Sequence, residues 1–207
     1  MEVLALAETK SVSRKKGPGN RKDKVRFGKT DFKFILVSAL LFLFASRALA
    51  VSPLMTRYES NKHGFSIQIP ATWQFKEGYM GTLFIAISPL DDSLDEFREN
   101  VNVTVEKLDR YISLDEYMKI SVRNMARMLT LFKEEETGRR KSDAGEVGWI
   151  RYTHRQGIYH IRGLATIAIE GNQAFVVTCT AESDRFMKYR SLFELMSKSF
   201  RLTKSSL

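Results

Sequence analysis

The chain has little of the residue types on which catalytic and metal-binding motifs depend. It contains one cysteine, Cys179, and three histidines among 207 residues. A single cysteine excludes an internal disulfide and any CxxC site. The HExxH zinc motif and the GxSxG nucleophile elbow are also absent. The sequence therefore predicts no catalytic residue, no metal site and no cofactor, and it favours a non-catalytic protein over an enzyme.

The first fifty residues have the pattern of an export leader. Lys33 precedes a hydrophobic region at 34–46, and Ala48-Leu49-Ala50 follows it. A basic flank, a short apolar region and small residues at −3 and −1 are the three parts of a secretory signal peptide. We therefore expect cleavage after Ala50 and an exported protein, periplasmic or extracellular, that consists of one domain at 51–207.

Alternatives to this leader remain open. An uncleaved segment 34–50 would anchor the chain in a membrane, although a spanning helix needs about 20 apolar residues and only twelve precede Ser46. The 33 residues before the hydrophobic region are long for a bacterial leader. A start at Val25 instead of Met1 would restore a conventional length, and a leader for an organelle is the other explanation.

The basic charge of the chain lies mainly in the leader. The formal net charge of the whole chain is +9, but residues 1–50 hold 11 basic and 4 acidic side chains. Residues 51–207 hold 22 basic and 20 acidic ones. So small an excess does not provide the broad positive field that phosphate backbones require. We therefore expect no nucleic-acid partner.

Alternating apolar residues predict a mainly β domain with two helices. Phe65, Ile67 and Ile69 alternate with polar residues, and Phe175, Val177 and Cys179 do the same. About six strands are expected, and most of them are joined by turns too short for parallel crossovers. The predicted fold is α+β, a central antiparallel sheet of about six strands with helices on both faces, which makes an α/β/α sandwich.

Capping signals and apolar stripes predict the two helices. Ser113 and Glu116 form a capping box before an apolar stripe of Leu114, Met118, Ser121, Met125, Met128 and Phe132. We interpret this methionine-rich stripe as core. Ser183 is expected to cap the second helix. The apolar stripe of that helix contains Phe186, Tyr189, Phe193, Met196 and Phe200.

The order of these features resembles the PsbP-like superfamily. The matching segments are His63 to Pro70 with Trp73, Phe97 to Val103, Ser113 to Tyr117, and Phe186 to Arg190 leading to Ser199-Phe200-Arg201. The resemblance spans roughly Arg57 to Leu202. It implies an antiparallel sheet with helices on both faces and a role in binding protein partners. Members include the photosystem II extrinsic protein PsbP, a Ran-binding nuclear import factor and many exported bacterial proteins. A photosystem role would need a photosynthetic host, and the resemblance assigns no functional residue.

A predicted hairpin carries the candidate binding residues. If its turn is Gln156-Gly157, the strand period places Arg151, Arg155, His160 and Arg162 on one face. This cluster would engage an acidic protein surface or anionic lipid heads. The alternative is a solvated strand face paired with nearby glutamates. The same turn places His154 and His160 on opposite faces, which argues against a shared metal.

An acidic loop with Asp91, Asp92, Asp95 and Glu96 lacks the glycine and ligand spacing of an EF-hand. We interpret it as a solvated loop.

The leading hypothesis is an exported, non-catalytic protein-binding or assembly module with a partner in the cell envelope or a membrane complex. Peripheral membrane contact is compatible with it. The alternatives are an envelope hydrolase or a carrier of a small ligand in an apolar cavity. The sequence leaves the partner, the oligomeric state and the host undetermined.

Overall fold

The computed structural model describes residues 53–203, and the leader at 1–50, with its hydrophobic region and cleavage site, lies outside the described residues. The elements, in chain order, are β1 (Met55–Ser60), β2 (Phe65–Pro70), β3 (Gln74–Glu77), a 3₁₀ turn (Tyr79–Gly81), β4 (Phe84–Ile87), β5 (Asn100–Lys107), α1 (Leu114–Met128), β6 (Thr130–Ser142), β7 (Gly145–Gln156), β8 (Tyr159–Glu170), β9 (Gln173–Glu182), α2 (Phe186–Ser199) and β10 (Arg201–Leu202).

The strands form two antiparallel sheets. The central sheet has seven strands in the order β3-β4-β5-β9-β8-β7-β6, and a small sheet has the order β1-β2-β10. The α+β class is confirmed. The central sheet has one strand more than expected, because β3 is exposed along its whole length and carries no alternating signal. The small sheet was not predicted as a separate unit.

Helices cover both faces of the central sheet, as predicted. On one face, α2 packs its buried Phe186, Phe193 and Met196 into a cluster with strand residues such as Val177 and Cys179. On the opposite face, α1 packs Tyr117 and Met118 against β7 and β8, where Ile150, Tyr152 and Ile167 are buried. We call these two faces the α2 face and the α1 face. The alternation predicted for Phe175, Val177 and Cys179 is confirmed, since all three belong to the α2-face cluster.

The helix starts differ in how well the sequence predicted them. The Ser113 side chain accepts a hydrogen bond from the Glu116 N–H at 3.2 Å, so the predicted capping box begins α1. Ser183 does not cap α2, because the helix begins at Phe186 and has no side-chain cap. Instead, the Ser183 N–H donates to the His160 carbonyl at 2.8 Å and fixes the end of β9.

The apolar stripe of α1 was drawn too long. The helix ends at Met128, and Phe132 belongs to β6, although it still packs against the α1-face cluster. Met128 itself is 82% exposed and is not a core residue. Trp73 is buried in the α2-face cluster. Within residues 53–203, no helix has both the length and the apolar character needed to cross a membrane.

Candidate functional site

The hairpin of β7 and β8 turns one residue later than predicted. Its two-residue turn is Gly157-Ile158, and Gln156 pairs with Tyr159. Gly157 has a φ of 61°, and glycine at the first central position is typical of type II′ hairpin turns. The later turn shifts each cross-strand partner by two residues, which preserves the faces. Arg155 therefore lies opposite His160.

The four predicted binding residues share the α2 face of this hairpin, but they are not equivalent. Arg151 and Arg162 each form a salt bridge with Glu135 of β6, at 3.5 and 2.8 Å. Arg151 also binds Glu136. Their side chains are only 24% and 27% exposed. These two arginines are therefore charge-compensated side chains that tie three neighbouring strands together.

The Arg162 guanidinium also lies 5.6 Å from the centre of the Phe186 ring at the start of α2. This distance allows a cation–π contact, which adds to the salt bridge in holding the side chain. The helix and the hairpin are thereby connected on the α2 face. In the sequence, the glutamate run at 134–136 is the signal that indicates salt bridges to Arg151 and Arg162.

Arg155 and His160 remain accessible at the end of the hairpin. Both are exposed, and within residues 53–203 the Arg155 side chain donates only to the Gly157 carbonyl, at 2.9 Å. The neighbouring Ile158 is 72% exposed at the turn. A cation and a large aliphatic side chain thus stand side by side on a hairpin whose backbone is paired on both flanks.

Two more apolar side chains lie at the same end of the sheet, and sequence reasoning missed them as surface features. Met128 ends α1, and Leu131 is 70% exposed in the first residues of β6. Leu131 has a φ of 52°, in a bulge between Thr130, which pairs with Arg155, and Lys133. A left-handed leucine is strained, and such strain is concentrated at functional positions. We call Arg155, His160 and Ile158 the hairpin-end surface.

The two hairpin histidines face opposite sides of the sheet. His160 lies on the α2 face, while His154 pairs with Ile161 and stacks on Tyr152, with ring centres 5.8 Å apart. Burial lowers the pKa of His154, and its Nδ1 has no hydrogen-bond partner among the residues that the structure describes. Among residues 53–203, no group of three or more histidine, cysteine or acidic side chains is arranged to hold a metal ion.

The acidic loop before β5 is held by α2. Asp91 binds Arg185 and Lys188 and accepts a hydrogen bond from the Tyr189 hydroxyl at 3.0 Å. The Asp95 carboxylate lies 2.6 Å from Arg185, and the Asp95 side chain is 2% exposed. The Asp91 N–H, followed by Arg185, lowers the pKa of Asp95. The interpretation as a merely solvated loop is therefore wrong for these two carboxylates.

Glu99 extends this ion network into the interior. Its side chain is fully buried, and its Oε2 accepts a hydrogen bond from the Ser88 hydroxyl at 3.1 Å. Its Oε1 lies 3.8 Å from Arg185 Nε and has no hydrogen-bond partner in the described part of the chain. Arg185 is thus the counter-charge for three carboxylates, and its position at the start of α2 fixes the loop to the helix.

A cleft of about 570 Å³ opens between α1 and the α1 face of the sheet. Met125, Leu129, Ile167 and Val176 contribute to its mainly apolar wall, and Met128 stands at its edge. Glu106 contributes a carboxylate, which accepts a hydrogen bond from the Tyr117 hydroxyl at 2.7 Å. The methionine stripe that we interpreted as core therefore lines a surface cleft in part. Clefts of this size and lining are typical of small-molecule sites.

Comparison with solved structures finds the same fold in proteins of low sequence identity. Cyanobacterial PsbP (CyanoP) of Synechocystis sp. PCC 6803 is 15% identical, with a TM-score of 0.56 over 77% of this chain and 99% of that chain. LpqN of Mycobacterium tuberculosis, involved in cell envelope biogenesis, is 11% identical, with a TM-score of 0.54 over 72% and 91%. The Ran-binding protein Mog1p of Saccharomyces cerevisiae is 10% identical, with a TM-score of 0.52 over 73% and 96%.

A search of curated proteins finds no match to the sequence. The family model PsbP matches residues 53–202, which is almost the whole described part of the chain. This match agrees with the seven-stranded antiparallel sheet, the helices on both of its faces and the likeness to CyanoP. The chain belongs to the PsbP family.

Proposed function

We propose that the chain is an exported, non-catalytic protein-binding or assembly module that contacts an acidic partner surface in the cell envelope through its hairpin-end surface. Arg155 and His160 would meet the partner's carboxylates, and Ile158 would fill an apolar contact. Arg151 and Arg162 would position the hairpin through Glu135 and would not touch the partner.

One observation carries this proposal: an unpaired arginine stands beside an exposed aliphatic residue on an anchored hairpin. Arg155 has no carboxylate within salt-bridge distance among the described residues, and Ile158 is 72% exposed. Protein interfaces are enriched in arginine and have an apolar centre. A preorganised surface also loses little conformational entropy on binding.

The comparisons support a binding role without specifying it. Mog1p is a Ran-binding protein and LpqN is involved in cell envelope biogenesis. Their identities with this chain are only 10% and 11%, so a binding role is assigned to this chain only as part of the proposal. Export rests on the basic flank, hydrophobic region and Ala48-Leu49-Ala50 of the leader.

A site-specific photocrosslinking experiment tests the proposal. A photoreactive phenylalanine analogue at position 158 should capture a partner in cells, and Arg155→Glu should abolish this crosslink. Lys62→Glu is the matched control, because Lys62 is an exposed cation on the turn between β1 and β2. A crosslink that survives Arg155→Glu, or that Lys62→Glu abolishes equally, would contradict the proposed surface. Reversing Arg151 or Arg162 is avoided, since either change would set two acidic groups together at Glu135.

Peripheral membrane contact is the second outcome to distinguish. If Arg155 binds lipid headgroups instead, residues 51–207 should sediment with vesicles that contain anionic lipid and remain in solution with neutral ones. Sedimentation that falls steeply with added salt would indicate headgroup charge, because exposed charges are screened. A crosslinked protein without sedimentation would support a protein partner.

Carriage of a small apolar ligand is a second candidate function, favoured by the cleft of about 570 Å³ under α1. The naphthalene sulfonate dye ANS should bind there and gain fluorescence. Val176→Trp should fill the cleft and remove this signal. A similar substitution of the exposed Tyr111, away from the cleft, should leave it unchanged. Equal signals from both variants would place the dye elsewhere.

A further inference from the structure

β6 is a long edge strand whose outer side carries no other strand in the described part of the chain. It has thirteen residues and stands last in the order of the central sheet, bonded only to β7. Between α1 and β6 runs a groove of about 450 Å³ lined by Asp115, Lys119, Arg123 and Glu134. Because most residues of β6 are exposed and only β7 pairs with it in the described part of the chain, its outward N–H and C=O groups are accessible for pairing.

Charge is distributed along β6 in two halves of opposite sign. Glu134, Glu135 and Glu136 are followed by Thr137-Gly138, and then by Arg139, Arg140 and Lys141. Charged edges usually protect a sheet from association, and a run of one sign would repel an identical antiparallel strand. This edge would instead bring its acidic half against the basic half of a second copy. The charges of β6 therefore favour pairing with a second copy of the same strand, which a charged edge normally prevents.

We propose that two copies of the chain associate through β6, pairing antiparallel about a two-fold axis at Gly138 and joining their central sheets into one. The axis stands perpendicular to the sheet, so both α1 faces lie on the same side. Glu136 then lies opposite Arg140 of the second copy, and Arg140 lies opposite Glu136. The proposal is independent of the hairpin-end surface.

The faces of the side chains favour this register over its neighbours. Glu136 pairs with Arg151 and Arg140 with Val147, so both side chains lie on the α2 face and can meet across the axis. An axis at Arg139 would set that residue against its own copy. An axis at Thr137 would place Glu136 opposite Gly138, where it has no basic partner. Charge thus selects Gly138 as the centre.

The surroundings of the axis also suit a second copy. Arg140 donates to the Thr166 hydroxyl at 3.0 Å, but its Nε has no partner, and no carboxylate of residues 53–203 lies within 4 Å of its nitrogens. Pairing across the axis would require Arg140 to turn from Thr166 towards the edge and Glu136 to share its bond with Arg151. Trp149 lies over Gly138, where an added Cβ would come within 2.8 Å of the ring. Because Gly138 has no side chain, the Trp149 indole can keep its position beside the axis.

Charge reversal and mixing test this arrangement. Both described core clusters lie between residues 55 and 202, so residues 51–207 are used. In sedimentation and native mass spectrometry, Glu136→Arg and Arg140→Glu should each weaken dimerisation at least about tenfold, since each sets like charges together twice. An equimolar mixture of the two variants should recover a heterodimer, because both contacts then join opposite charges.

The mixture separates loss of pairing from loss of folding, since a misfolded variant would not be rescued by its complement. Lys62→Glu is a matched charge reversal away from the edge and should leave the dimer unchanged. A wild-type chain that stays monomeric at about 1 mM, where even weak interfaces associate, would overturn the proposal. A mixture that associates no better than its components would also overturn it.

Discussion

The Arg185 guanidinium lies 2.6 Å from the Asp95 carboxylate and joins the acidic loop to the start of α2. These residues are ninety positions apart in the chain, and the side chain of Asp95 is almost inaccessible. The same arginine faces the buried carboxylate of Glu99. One side chain therefore balances a cluster of carboxylates that would otherwise repel each other inside the protein.

Replacing Arg185 should destabilise the fold more than replacing a surface arginine. Arg185→Ala would leave Glu99 buried without a counter-charge, and we expect a loss of about 3–5 kcal/mol in the free energy of unfolding. Arg190→Ala removes only an exposed i,i+4 pair with Glu194 and should cost less than about 0.5 kcal/mol. Urea denaturation of both variants measures the difference. Equal losses would show that the Arg185 network does not stabilise the fold.

The Asp95 carboxylate should contribute to acid sensitivity. Its pKa is lowered in the folded state, so its contribution to stability is complete above the ordinary value of about 4 and is lost as the pH falls through the folded-state pKa. Asp95→Asn should reduce stability at neutral pH and flatten its decline below about pH 4. Chemical denaturation between pH 7 and pH 2 tests the sign. An unchanged slope would argue against the ion pair.

Two serines give a direct comparison of real and apparent helix caps. Ser113→Ala removes a side-chain bond to the Glu116 N–H and should cost about 1 kcal/mol. Ser183→Ala should change little, because Ser183 contributes its backbone N–H and not a cap. Thermal unfolding of both variants checks the prediction. A larger effect at Ser183 would support the original prediction that Ser183 caps α2.

The close packing of Tyr152 on Gly163 should make that glycine irreplaceable. An added Cβ at Gly163 would lie 2.5 Å from the Tyr152 ring, which is buried and cannot move aside easily. Gly163→Ala should cost about 1–3 kcal/mol through overpacking. Adding Tyr152→Ala should recover part of that loss, so the double variant would be less destabilised than the sum of the two changes. Strict additivity would contradict the contact.

Cys179 should be unreactive in the folded protein. Burial raises the pKa of its thiol to about 12, and the side chain is fully inaccessible. Because the thiolate is the reactive form, Ellman's reagent should label Cys179 only after denaturation. Rapid labelling of the native protein at neutral pH would show that the α2-face core opens readily.

Local patterns predicted the parts of the structure whose physical cause is local. The alternation of apolar and polar residues in β9 correctly placed Cys179 on the buried face of the strand, because successive side chains of a strand point to opposite sides. The Ser113 cap was recognised since its partner is three residues away. β3 was missed because it is an exposed edge strand without alternation. The predicted turn, Gln156-Gly157, lies one residue before the observed turn, Gly157-Ile158, because the local sequence is compatible with both two-residue turns.

The sequence by itself determined the α+β class, the capping box of α1, and a hairpin face that carries Arg151, Arg155, His160 and Arg162. Only the tertiary structure decided which of these residues are available. Glu135 lies 27 positions from Arg162, and the sheet brings the two side chains to 2.8 Å. Backbone alternation sets the face of a side chain through bonded geometry. Its charge balance and exposure depend on distant segments, which meet only when the sheet is assembled and the helices pack on it.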